Sequence, residues 1–170
     1  MSRLFFALMP DDLVRQQIAK IAAQIPAGGQ KVKASNFHAT LVFLGEVPVD
    51  QIEALEQAAK QINIAPFDLK LDSREWWKTS ELTCMGSSNI PEQLNVLVSK
   101  LNEILEPFGY SAEQTDFQLH ITLMRGVKKP INHLSFKHIP WLVRGFSLVE
   151  SIVVSGESEY RVIQTWDFVG

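Results

Sequence analysis

The chain is poor in the residues that staple or anchor a protein. Cys84 is the only cysteine among 170 residues. An intrachain disulfide is therefore impossible, and a cysteine-built zinc site is excluded. Cys84 lies in the strand-like stretch "ELTCMGSS", where a buried, inert thiol is expected rather than a nucleophile. No sign of charge dominates. Sixteen Lys and Arg against nineteen Asp and Glu leave −3 at pH 7, with a pI near 5.8. No global basic field is available to hold long nucleic acid, so any such contact must be local. No apolar run approaches bilayer length, and "RLFFALM" is too short for a signal core and is followed by acids. A cytoplasmic protein without membrane contact is the expectation. Linker-like and low-complexity segments are also missing, so residues 1–170 are expected to form a single domain with its own core.

What is present alternates in kind. "RLFFALM" reads as an apolar strand. Pro10 and Asp11 open a helix through "DLVRQQIAKIAAQI", with apolar residues near helical spacing, and "PAGGQ" breaks it. "NFHATLVFLG" is a second strand and "VDQIEALEQAAKQI" a second helix. "FDLKLDSREWW" reads as one half-buried strand, with "ELTCMGSS" as its partner. A third helix, "PEQLNVLVSKLNEILEPFG", has Pro91 at its start and Gly109 past its end. "DFQLHITLMRG", "LSFKH", "FSLVESIVVS" and "YRVIQTWDFV" complete the strands. This order predicts an α+β fold with mainly antiparallel sheets and helices on the outside.

Histidine is scarce, with four in the chain, yet two stand in one pattern. His38-Ala39-Thr40-Leu41 returns as His120-Ile121-Thr122-Leu123, 82 positions later. Side chains in a strand alternate between faces. His38 and Thr40 therefore share one face, and His120 and Thr122 share another. If the strands are neighbours, two imidazoles and two hydroxyls converge. That set suits cleavage of a phosphoester. One group must take a proton from the nucleophile and another must give one to the leaving oxygen, and imidazole titrates near neutrality. Threonine hydroxyls can donate to the charged phosphate oxygens. No Asp, Glu or Cys accompanies the histidines on the same face, which argues against a metal-dependent mechanism.

At these residues the sequence resembles the two-histidine (2H) phosphoesterase superfamily. Within it, the bacterial and archaeal RNA 2′,3′-cyclic phosphodiesterases, also called 2′-5′ RNA ligases, are the nearer likeness. "RLFFALMPDD", "NFHATLVFLGEV", "LHITLMRG" and "SGESEYRVIQTWDF" carry it, so it covers nearly the whole chain. The resemblance implies two lobes of antiparallel sheet around a central cleft. It implies metal-independent hydrolysis of an RNA 2′,3′-cyclic phosphate to a 2′-phosphate, with no cofactor and with possible 2′-5′ ligation. It makes His38 the proton donor, His120 the proton acceptor, and Thr40 and Thr122 the holders of the phosphate. Nothing local in the sequence separates the two histidine roles. A small cyclic nucleotide, such as ADP-ribose 1″,2″-cyclic phosphate, is the alternative substrate. A non-catalytic RNA-end binding module is the alternative of another class. A monomer is expected.

Arg125 stands where the family has an arginine, and the resemblance implies contact with the nucleotide or phosphate. Alternation in a regular strand places it on the face opposite His120, although Gly126 could bend the chain. His133 and His138 have no Thr partner and are expected outside the site. Trp76 and Trp77 are expected to pack in the core or cover a sheet edge, with base stacking as the alternative. Phe6, Met9, Tyr160 and Trp166 are candidates for the cleft wall. Lys31, Lys33, Lys128 and Lys129 are candidates for a basic rim.

Overall fold

The computed structural model describes residues 1–26, 28–110, 117–130 and 135–170, and among these residues apolar positions at alternating and helical spacings produce ten strands and three α-helices. In chain order these are β1 (Ser2–Leu8), α1 (Asp12–Ala23), β2 (Gln30–Lys31), β3 (Ala39–Val47), α2 (Ile52–Ala59), β4 (Phe67–Leu71) and β5 (Ser73–Trp77). They continue with β6 (Leu82–Gly86), α3 (Glu92–Leu105), β7 (Ile121–Arg125), β8 (Ile139–Val143), β9 (Gly145–Val154) and β10 (Glu157–Asp167). The large sheet runs β10-β9-β1-β3-β7-β6-β5, with β2 on β7, and every pairing is antiparallel. β4 and β8 form a separate pair.

The large sheet is nearly two sheets. β3 and β7 share a single paired position, Ala39 with Ile121. On one side of this seam lie β1, β9 and β10, and on the other β6 and β5. One face of the sheet buries Leu4, Phe6, Leu8, Leu41 and Leu123 in the main core, together with Ile18 of α1 and Leu97 and Leu101 of α3. Asp11 caps α1 by accepting from the Val14 N–H at 2.9 Å, a contact that contributes about 1 kcal/mol. The opposite face is left open beside a smaller cluster of Phe5, Ala7 and Val149.

Two expectations fail on pairing. "FDLKLDSREWW" is not one strand: β4 joins β8 while β5 joins β6, with the break at Asp72. Asp72 accepts from the backbone N–H and the hydroxyl of Ser88, at 2.7 and 2.6 Å, and this turns the chain between the two sheets. The expected strand "LSFKH" belongs one step later, at β8; Leu134 lies outside the described residues. Pro140 disguises that strand. It is tolerated because β8 pairs with β4 alone, and the proline sits on the exposed side of the alternation.

Candidate active site

His38 and His120 each stand one residue before their strand, so the seam pair Ala39 and Ile121 follows them directly. Directly opposed residues share a face, and both Ala39 and Ile121 are fully buried in the core. His38, Thr40, His120 and Thr122 therefore all project to the other face. Continuing the seam register would set Thr40 opposite His120 and His38 opposite Thr122, since each pair sums to the same index as Ala39 and Ile121. The two copies of the motif meet head to tail.

Both imidazoles are held in the same way. His38 Nδ1 lies 2.7 Å from the Asn36 carbonyl, and His120 Nδ1 lies 3.0 Å from the Gln118 carbonyl. A carbonyl only accepts, so Nδ1 carries the hydrogen in each ring and Nε2 is left for chemistry. Buried Phe37 and Leu119 anchor the segments between carbonyl and ring. Asn36 is itself tied down, because its Nδ2 donates to the Ser158 carbonyl of β10 at 2.8 Å. His38 Nε2 lies 3.0 Å from the Thr40 hydroxyl.

The surroundings of the two rings differ. His38 packs between Phe5 and Tyr160, with ring centroids 4.9 and 4.8 Å away. His120 packs on Trp77 at 4.5 Å. Burial lowers the pKa of His38 below the ordinary histidine value. The Asn36 carbonyl opposes that shift, while the nearby charges of Arg125 and His120 add to it.

Arg125 lies on the cleft side, and a β-bulge puts it there. Thr122 pairs with Cys84 and Met124 with Thr83, which leaves Leu123 as an extra residue in β7. The extra residue reverses the alternation. Met124 turns into the core, and Arg125 turns towards the histidines. β3 does the same. Thr40 pairs with Ala7 and Val42 with Phe6, so Leu41 is extra. Phe43 is thereby brought to the cleft side as the counterpart of Arg125. The Leu of each His-x-Thr-Leu copy is thus its bulge residue. A glycine with positive φ follows each bulged stretch, Gly45 at +74° and Gly126 at +69°.

The cleft has a volume of about 690 Å³, enough for more than a phosphate. Tyr160, Lys31 and Lys33 line it as candidates, and Phe5, Phe43 and Arg3 line it without having been singled out. Lys33 is engaged by Glu157. Lys128 and Lys129 are exposed and lie off the cleft wall. Phe6 and Trp166 belong to the core, 6.1 Å apart, because they occupy the other side of their strands. Met9 packs on the Phe5 cluster. Trp76 donates to the Val127 carbonyl at 2.7 Å and packs on the core. His138 is exposed and away from the cleft, and His133 lies outside the described residues. Cys84 is buried, and burial first, then the charge of Glu75, pushes its thiol up to about 12. Among the described residues no group of His, Cys, Asp and Glu could hold a metal ion, and no helix is long and apolar enough to cross a membrane.

Comparison with known proteins places this geometry. The family model described as LigT like Phosphoesterase matches residues 8–81. The RNA 2′,3′-cyclic phosphodiesterase of Escherichia coli (strain K12) is 31 % identical over 168 residues, covering 96 % of this chain and 95 % of that protein. The protein of the same name from Archaeoglobus fulgidus is 26 % identical over 131 residues, 75 % of this chain and 74 % of its own length. A crystal structure of E. coli LigT complexed with 3′-AMP superposes with a TM-score of 0.93 at 29 % identity, covering 99 % of each chain. The chain belongs to the LigT-like phosphoesterase family, the two-histidine enzymes that its paired motifs resemble.

Proposed function

We propose that residues 1–170 form one two-lobed catalytic unit that hydrolyses RNA 2′,3′-cyclic phosphate ends to 2′-phosphates, without a metal. The observation that carries this reading is the matched pair of imidazoles, each with Nδ1 committed to a backbone carbonyl, so that proton exchange falls to Nε2, which in His38 meets the Thr40 hydroxyl of its own motif. In the proposed reaction a water attacks phosphorus, and His120 Nε2 takes its proton. The bond from phosphorus to the 3′ oxygen breaks, and His38 Nε2 gives that oxygen a proton. The 2′ ester is retained. Thr40, Thr122 and Arg125 donate to the non-bridging oxygens, where charge resides throughout.

The acid role of His38 follows the family likeness. In the free protein its burial favours the neutral ring. A bound phosphodiester brings a negative charge among His38, His120 and Arg125, and this restores the proton that the acid must carry. The sequence likeness to the E. coli and A. fulgidus proteins called RNA 2′,3′-cyclic phosphodiesterase supports the RNA-end substrate.

The test is incubation with a cyclic-phosphate-ended RNA, with identification of the product. A 2′-phosphate is expected, made equally well in EDTA and lost in both His38→Ala and His120→Ala at unchanged melting temperature. A 3′-phosphate product, or turnover surviving in either variant, would sink the mechanism.

A further inference from the structure

The cleft is lopsided. From His38, the motif histidine that lines it, it extends over the half-sheet of β3, β1, β9 and β10, as far as Val153 and Ser158. That crosses three strand spacings, roughly 14 Å. From β2 and β7 the contribution is limited to Gln30, Lys31, Thr122 and Arg125, close to the motifs. On the extended side, exposed apolar residues stand among polar ones. Phe43 is 54 % exposed and Val153 73 % exposed. The Arg3 guanidinium lies 5.0 Å from the centre of the Phe43 ring. A large aromatic left open on a sheet face, beside a planar cation, is a surface on which a nucleobase stacks.

We propose that this face holds the ribonucleotide 5′ to the cyclised one, with Phe43 and Arg3 as its stacking platform. The inference rests on the phosphodiesterase reading and adds to it the residues that meet the RNA upstream of the cyclised nucleotide. The direction follows from chemistry. A cyclic phosphate closes the 2′ and 3′ oxygens, so the rest of an RNA leaves that nucleotide from its 5′ oxygen. The chain must then run away from the histidines, and the open half-sheet is the part of the cleft that continues. Charge agrees with recognition of bases over phosphates. Glu46 opposes Arg3 in the strand register, and Glu157 engages Lys33, so the surface carries no strong positive field. The bulge at Leu41 makes the site possible. In a regular strand Phe43 would lie on the other side of the alternation from Phe5's cleft neighbours.

The experiment compares kcat/KM for a 2′,3′-cyclic mononucleotide and a cyclic-phosphate-ended dinucleotide, in the intact protein and in Phe43→Ala, Arg3→Gln and Phe43→Trp. The dinucleotide should be preferred about ten-fold by the unaltered protein, in line with the stacking of one base on an aromatic ring. That ratio should fall towards one in Phe43→Ala and Arg3→Gln and persist in Phe43→Trp. The ratio is internal to each variant, so a partly unfolded preparation does not alter it. Turnover of both substrates at equal efficiency by the unaltered protein would overturn the subsite alone. A ratio that survives Phe43→Ala would overturn the platform. Turnover of neither substrate would overturn the phosphodiesterase reading and the subsite with it.

Discussion

Replacing Arg125 by Gln removes one positive charge from the cleft and keeps most of the side chain's length. Two effects follow, and they run in opposite senses. The first is lost binding of the phosphate. A hydrogen bond to a charged partner contributes about 1.5–3 kcal/mol. Arg125 is exposed at the cleft rim, so the lower end applies, and roughly a ten-fold fall in kcat/KM is expected. The second concerns His38. Its pKa is lowered chiefly by burial, and the charge of Arg125 adds to that shift. Without Arg125 the His38 pKa rises towards its ordinary value. A general acid works protonated, so its activity is lost as pH climbs through its pKa. A general base works neutral, so its activity is lost as pH falls through its pKa. With His38 as acid, Arg125→Gln moves the alkaline limb of kcat/KM to higher pH. The assay is initial rate at low substrate between pH 5 and 9, for both proteins. Movement of the acidic limb instead would reverse the roles of the two histidines. A change in rate of less than about three-fold with neither limb moved would remove Arg125 from the site.

Two further outcomes test the framework. Gly126→Ala should destabilise the protein by about 1–2 kcal/mol in urea unfolding, since a side chain there meets open space and only the left-handed backbone at φ +69° opposes it; an unchanged midpoint would refute that conformation. The Cys84 thiol should resist maleimide at pH 8 until the protein is unfolded, because it is buried and pushed up to about 12; rapid labelling of the native protein would show that β6 opens.

The paired motifs were legible in the sequence because alternation is a local rule. His38 with Thr40, and His120 with Thr122, needed nothing beyond neighbouring positions to be placed on one face. The helices were legible for the same reason. Arg125 and Phe43 were not. Their side of the sheet depends on Leu41 and Leu123 being extra residues, and an extra residue exists only relative to the partner strand, β1 or β6. Gly45 and Gly126 were the available signal, since an isolated glycine in a strand pattern marks a bulge or bend. Asn36 was invisible too, because its contribution is a backbone carbonyl and a long-range bond to β10. The break in "FDLKLDSREWW" was hidden because both halves alternate correctly, and only pairing assigns them to different sheets.

The single pair of Ala39 with Ile121 acts on the rest of the molecule as a fulcrum acts on the arms of a balance. Any pivoting of one half-sheet against the other displaces atoms in proportion to their distance from it. The histidines stand one residue from the fulcrum, so their mutual spacing changes least. On the longer arm, Val153 stands two strands out from β3 and Ser158 three, and Ser158 travels furthest. A change in how the arms are splayed would therefore reshape the outer groove while the spacing of His38 and His120 at the centre stays nearly constant.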